Sequence, residues 1–360
     1  MFMQLKKLLI IRGKYIFTVI AVLAMLFSLI FVPQVTSKGV KDGLNLCGQV
    51  VIPSLFPFMV LSTFLIKSGL CSLLGRIFAP LTKKIFRLPG TACGAIIMGL
   101  IGGFPVGSRM TAQLYRDGEI SRSAAQRMLM FCVNAGPAFV IGAIGSMMLG
   151  SRKAGFIMFI SLSLSSLFIG FISRFIACDG EDKSLPHVFG PMNIQKSLVE
   201  SVADGSGAML SVCAWIILFC CACSLLSLLP EGLEVLSVPL KCLFEVTSGS
   251  AAAAASGVHI AVITGIVGWS GLCVHCQVLE YVKAVDLRMS VFLTARATSG
   301  ALASLISFEL FRVFPCEVPA FISTDLPASH AFSPYVPACA GILVMGALLI
   351  LDLDMNRKMC

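Results

Sequence analysis

The stretch Ala95-Ile96-Ile97-Met98-Gly99-Leu100-Ile101-Gly102-Gly103-Phe104-Pro105-Val106-Gly107-Ser108-Arg109-Met110 decides how this chain is read. It is apolar enough for the inside of a bilayer, yet four glycines and a proline interrupt it. A helix loses ~1 kcal/mol for each interior glycine and ~3 kcal/mol for a proline, so the segment from Thr91 to Met110 predicts a broken element rather than one straight rod. Backbone broken at membrane depth survives only where it is buried in protein or lines a wet cavity. A second apolar run, Ala251 to Cys276, is cut by Gly257, Gly265, Gly268 and Gly271 and predicts a second such element.

Working outward, the composition removes every soluble alternative. Of 360 residues, 57% are hydrophobic and 12% charged, with a mean hydropathy of +0.94; soluble chains carry ~25% charge. The fold class expected is an all-α polytopic membrane protein whose partner is the lipid bilayer. The net charge of +9 sits between the apolar runs, where basic residues orient helices, and no nucleic-acid partner is expected. The fifteen cysteines include Cys213, Cys220, Cys221 and Cys223 within one apolar run. There cysteine acts as a small hydrophobe, so reduced thiols are expected rather than a disulfide scaffold.

Crossing ~30 Å of hydrocarbon takes ~20 apolar residues. The run Tyr15 to Val32, preceded by Lys6, Lys7, Arg12 and Lys14, reads as an uncleaved anchor with a cytoplasmic N-terminus. Further crossings are expected at Leu44–Ile66, Met128–Leu149, Gly155–Ile176, Ala208–Leu229, Val291–Val313 and Tyr335–Leu351. Counting the broken segments either way gives about seven to nine membrane helices. Leu70–Arg87 and Leu233–Val246 are amphipathic and are expected along the interface. The expected organisation is an anchor over 1–42, a first repeat over 43–177, a polar linker over 178–200, a second repeat over 201–351 and a short tail over 352–360.

The two halves can be superposed. Pro80-Leu81 falls on Pro239-Leu240, and after a seven-residue insertion Ala95–Gly102 falls on Ala261–Gly268 and Tyr115 on Tyr281. From Lys67 to Arg127 the net charge is +7, and from Glu231 to Arg288 it is −2. Since Lys and Arg gather on the cytoplasmic side, this predicts inverted repeats, with Lys67–Arg127 inside and Glu231–Arg288 outside. Inverted repeats with broken helices are common in secondary transporters, which bind solute where the breaks meet.

Gly102-Gly103-Phe104-Pro105-Val106-Gly107-Ser108, then Leu114-Tyr115-Arg116-Asp117-Gly118-Glu119, then Phe131-Cys132-Val133-Asn134-Ala135-Gly136-Pro137-Ala138-Phe139 resemble the sporulation integral membrane protein family of endospore-forming bacteria, the YlbJ type. That family carries the nucleoside-recognition or Gate domain, and the likeness spans residues 40 to 315. It implies two Gate-like repeats in a mother-cell membrane protein needed for spore cortex or envelope formation. Nucleoside carriers of the Gate type use acidic and amide side chains near their hairpin tips. Here Thr91–Ser108 has no acidic residue, and Glu245, Thr247 and Ser248 fall just before the expected second hairpin.

Gly102, Gly103, Phe104, Pro105, Gly107 and Ser108 are therefore expected at the first tip, where glycine admits a ligand close to the backbone and proline frees a carbonyl. Asn134 and Pro137 are expected to break the next crossing at similar depth, the Asn134 amide serving either a solute or an interhelical bond. In the second half Trp269, Ser270 and Gly271 take the tip, and Thr298 and Ser299 take the place of Cys132 and Val133. Arg109, Arg296 and Glu309 are the candidate charge partners, since ionisable residues in membrane segments are usually functional. Cys273-Val274-His275-Cys276 looks like a metal fragment, but zinc wants four ligands, and no metal or cofactor is expected; a coupling ion is left unspecified. No nucleophile elbow, phosphate loop or HExxH motif is present. The leading expectation is a permease-like protein for a small polar solute. A non-transporting scaffold among sporulation membrane proteins and an intramembrane enzyme on lipid-linked precursors are the alternatives.

Overall fold

The computed structural model describes residues 19, 26–175, 194–230 and 232–316. Among them there is no strand. After helical residues 26–31 comes α1 (Pro33–Leu46), which passes through a π turn at Cys47–Val51 into α2 (Ile52–Lys67). Then come α3 (Leu70–Phe86), α4 (Ala92–Ile101), α5 (Val106–Arg116) and α6 (Arg122–Phe131). After them follow α7, wound as a π-helix (Ala138–Met148), and α8 (Arg152–Ser173). The later part holds α9 (Ile194–Leu225), α10 (Ser237–Phe244), α11 (Val246–Ala255), α12 (Ile260–Trp269), α13 (Gly271–Ala284) and α14 (Met289–Val313). Among the described residues five stretches are long and apolar enough to cross a membrane: Pro33–Lys67, Arg152–Ser173, Gln195–Leu228, Ile260–Ala284 and Met289–Val313. The expected crossings at Tyr15–Val32 and Tyr335–Leu351 fall mostly or wholly outside the described residues. α9 starts at Ile194, inside the segment expected to be linker.

Local chemistry sets several boundaries. The Ser121 and Ser151 hydroxyls accept from the Ala124 and Ala154 amides and start α6 and α8, each satisfying a helix N–H that has no intrahelical partner. α12 is started the same way by His259, whose Nδ1 accepts from the Ala261 amide at 3.2 Å.

Specific contacts fix the direction of each element. Thr91 Oγ1 donates to the Glu119 carbonyl at 3.4 Å, so α4 and α5 form a hairpin that returns to the end where it began. At that end Arg116 faces Glu280 at 3.7 Å, Arg122 pairs with Asp286, and the Gln126 amide donates to the carbonyls of Val285 and Asp286. At the opposite end Lys153 Nζ donates to the Pro315 carbonyl at 3.1 Å. α12 runs antiparallel to α14, with Thr264 and Ser307 hydroxyls 2.9 Å apart and the His259 and Phe308 rings in contact. α12 thus starts at the Pro315 end and α13 finishes at the Arg116 end.

This corrects two expectations. The run Ala251–Cys276 contains no re-entrant dip centred on its glycines; α12 and α13 pass through as one crossing bent at Ser270 and Gly271, both with positive φ. Gly271 forms the bend, whereas Gly265 and Gly268 serve close packing: a Cβ on Gly268 would stand 2.7 Å from the Gly300 Cα, the small-residue contact common between membrane helices. The second hairpin is α10–α11, part of a stretch expected to lie along the interface. There Cys242 Sγ donates to the Gly249 carbonyl at 3.3 Å, and a Cβ on Gly249 would meet the Cys242 Cα at 2.5 Å. The second correction is one of register. Glu280 beside Arg116 puts the Lys283 loop and the Arg116 loop at the same end, so Tyr115 and Tyr281 are not inverted counterparts.

The first-half crossing Met128–Leu149 is broken between Phe131 and Ala138, as Asn134 and Pro137 predict. α9 lies antiparallel to α1–α2, from Lys67 beside Glu200 and Asp204 at 2.9 and 3.0 Å to Gly39 against Ser224. The core runs continuously through these pairs, with Met59, Met128, Met158, Ile263 and Phe292 sealed from solvent. The described cysteine thiols are free, most of them buried.

Candidate functional site

The two hairpins enter from opposite ends, and their tips approach each other inside the bundle. At the first tip Gly103 adopts φ +75°, a left-handed conformation that favours glycine, and its carbonyl accepts from the Val106 amide at 2.9 Å. The Phe104–Pro105 peptide is cis. The Ser108 hydroxyl is spent on the Pro105 carbonyl at 2.7 Å. Gly107 lies in the first turn of α5 rather than in the tip. A Cβ there would stand 2.1 Å from the Cys132 carbonyl oxygen and 2.6 Å from the Gly99 Cα, so its work is to let the hairpin close on the broken helix.

The second tip is Glu245, extended between α10 and α11. Its carboxylate accepts from the Thr247 and Ser248 amides at 3.0 and 2.6 Å and from the Ser248 hydroxyl. The side chain is buried, and among the described residues it forms no ion pair. The α13 N-terminus abuts this tip, a Cβ on Gly271 meeting the Phe244 carbonyl at 3.1 Å. Such a helix end carries partial positive charge, which suits a carboxylate nearby.

Between the tips lies a cavity of ≈ 40 Å³, bordered by Phe104, Gly136, Glu245, Thr247, Val274 and Gln277. At ~10–15 Å³ for each water it holds a few waters. Small-molecule pockets start near ~300 Å³, so any solute requires the tips to separate. The walls offer a carboxylate, a primary amide and a hydroxyl against an aromatic ring, a set able to bind hydroxyls, amines or a ring edge.

The other expected residues are placed elsewhere. Asn134 Nδ2 donates to the Phe131 carbonyl at 2.8 Å and closes the end of α6, while Pro137 starts α7. Trp269 faces an open apolar groove of ≈ 460 Å³ between α10, α12 and α14, its indole N–H donating to the Leu243 carbonyl at 3.4 Å. Thr298 is exposed and bonds back to the Thr294 carbonyl at 2.8 Å. Ser299 belongs to the α8–α14 seam, where Ser165 Oγ donates to its carbonyl at 2.8 Å. Neither borders the cavity, because α14 runs unbroken where α6–α7 opens. Glu309 pairs with Arg312 on the surface, Arg109 donates to the Asp204 carbonyl at 3.3 Å, and Arg296 is buried to 1%. Among the described residues no three of His, Cys, Asp and Glu stand together as a metal site.

Glu245, Thr247 and Gln277 border the cavity without having been candidate site residues. Glu245 and Thr247 stood in the sequence only as polar residues just before the expected second hairpin, with Ser248. Gln277 carried no signal.

These features define a helical, multi-pass membrane protein, and residues 49–178 match the family described as nucleoside recognition. Over 320 residues, 78% of each chain, the protein is 28% identical to the sporulation integral membrane protein YlbJ of Bacillus subtilis (strain 168). No solved structure matches. The matched Gate span runs from the π turn before α2 to just past α8, which is the first half alone.

Proposed function

We propose that this chain is a permease-like membrane protein that binds a small polar solute between its two hairpin tips and serves during sporulation, in the building of the spore cortex or envelope. The observation that carries the reading is the meeting of Phe104 and Glu245 across one cavity, with hairpins entering from opposite ends. An inverted repeat in a new register accounts for the order of elements. α2, the hairpin α4–α5, the broken crossing α6–α7 and α8 correspond to α9, the hairpin α10–α11, the broken crossing α12–α13 and α14. The two units then cover about 52–173 and 194–313, and broken helices meeting near mid-depth are the transporter arrangement. The sporulation role rests on the likeness to the Bacillus protein. An acid and an amide at the site agree with a nucleoside-like solute.

The test is thermal unfolding of the purified protein with a panel of nucleosides and other small polar solutes, on wild type, Glu245→Gln and Gln277→Ala. Saturable stabilisation by one class, weakened in both variants, is expected. Saturable stabilisation unchanged in both variants would place the solute elsewhere. Its absence across the panel favours a second reading, a non-transporting scaffold, which the small volume of the cavity supports.

A further inference from the structure

We propose that Arg296 forms a buried oxyanion site at the break between α6 and α7, separate from the cavity between the tips. Arg296 is the largest of the fully buried side chains. It lies two turns into α14, on the face that also buries Phe292 and Ser299. Its Nε and Nη2 are both buried without a hydrogen-bond partner. Those two atoms form the side-on edge of the guanidinium, whose parallel N–H bonds grip two oxygens of one carboxylate or phosphate. A buried cation without a partner is costly, and proteins retain one where something compensates it.

The surroundings select an anion of this kind. No carboxylate forms an ion pair with Arg296 among the described residues. Cys132, at the start of the break, and His275, on α13, lie within electrostatic reach of the guanidinium. His275 Nε2 is 2.9 Å from the Trp269 carbonyl oxygen, so that nitrogen donates and Nδ1 is left an acceptor. Nδ1 is also buried and unpartnered. An oxyanion that keeps one proton, such as monohydrogen or dihydrogen phosphate, would accept from the Arg296 edge and donate to His275 Nδ1. Deprotonated carboxylates would fill the first role only. The site does not depend on transport, since it predicts occupancy whether or not any solute crosses.

The experiment measures unfolding temperature and direct phosphate binding on the full-length protein in neutral detergent, for wild type, Arg296→Met and Arg296→Lys. Inorganic phosphate, acetate and chloride are compared at fixed ionic strength, and nanodiscs of phosphatidylcholine with or without phosphatidylglycerol separate a lipid phosphate from a free one. Expected in wild type is saturable stabilisation by phosphate or by the anionic lipid, exceeding acetate, with chloride inert. Arg296→Met should lose that response and weaken phosphate binding about tenfold or more. Arg296→Lys, a point charge without the fork, should retain only part. Without ligand Arg296→Met should unfold no lower than wild type, because an uncompensated charge has been removed. Wild type indifferent to all four probes, or Arg296→Met destabilised without ligand, would falsify the site and make Arg296 a structural brace. If the methionine variant does not accumulate, wild-type phosphate binding together with the lysine variant decides the matter.

Discussion

Glu245 does two jobs with one carboxylate: it caps α11 and it borders the cavity. The substitutions separate them. Glu245→Ala removes acceptors for two backbone amides and a hydroxyl and should cost about 1–2 kcal/mol of stability, the usual loss of a good N-cap. Glu245→Gln keeps one of the two acceptor oxygens and should lose less unfolding temperature than Glu245→Ala while losing solute response. A chemical-shift or thermal comparison of the pair checks this directly, and equal losses in both would make the residue a cap alone. Gly107 offers a second residue-scale prediction. Its α-carbon faces the Cys132 carbonyl so closely that even Gly107→Ala drives a methyl carbon into backbone. Overpacking typically costs about 1–3 kcal/mol, and the variant should show reduced yield and unfolding temperature, read by fluorescence-detected gel filtration.

Among elements, the first hairpin and the break after α6 were legible in the sequence, and the second hairpin was not. Gly102, Gly103 and Pro105 each oppose helix through a known backbone effect, so the turn at α4–α5 announces itself. The turn at α10–α11 is made by one extended glutamate before an alanine-rich helix, and alanine is the best helix former. Nothing in Val246–Ala255 signals a reversal. The glycines of α12 drew attention for the opposite reason. Gly265 and Gly268 look like breakers but are contacts, pressed against α14 within one helix. Low-complexity apolar sequence made the superposition of Ala261–Gly268 on Ala95–Gly102 easy, while the contacts place Glu280 beside Arg116. Gly268→Leu tests the packing role: α12 should separate from Gly300, lowering the unfolding temperature, whereas a turn-forming glycine at an open tip would accept a side chain without an obstructing backbone. Of the cavity wall, Phe104 and the neighbourhood of Asn134 were foreseen. Gln277 was not, because a lone amide on a helix face carries no pattern.

For the whole molecule, the ion pairs Arg116–Glu280 and Arg122–Asp286 tie the loops after α5 and α13 together. Single cysteines placed at Asp117 and Asp286, in a background without reactive thiols, should be labelled from the same side of sealed vesicles, and one at Lys153 from the other. Labelling of 117 and 286 from opposite sides would undo the direction assigned to α12–α13. The acidic loop of the second half had suggested opposite sides through its charge alone. In the folded chain Glu280 and Asp286 sit opposite Arg116 and Arg122 of the first half, so charge balance between neighbouring loops accounts for the sign of these two.

The seam between α8 and α14 leads one step further. It is held at its centre by the Ser165 hydroxyl on the Ser299 carbonyl, and each of its helices lies beside the broken crossing of its own half. A single hydroxyl-to-carbonyl link of this kind holds the two helices through small polar atoms, so on the proposed reading this line is where the halves would tilt. On the permease reading proposed above, tilting one way would free the Phe104 side toward the end that holds Arg116, and tilting the other way would free Glu245 toward the end that holds Pro315.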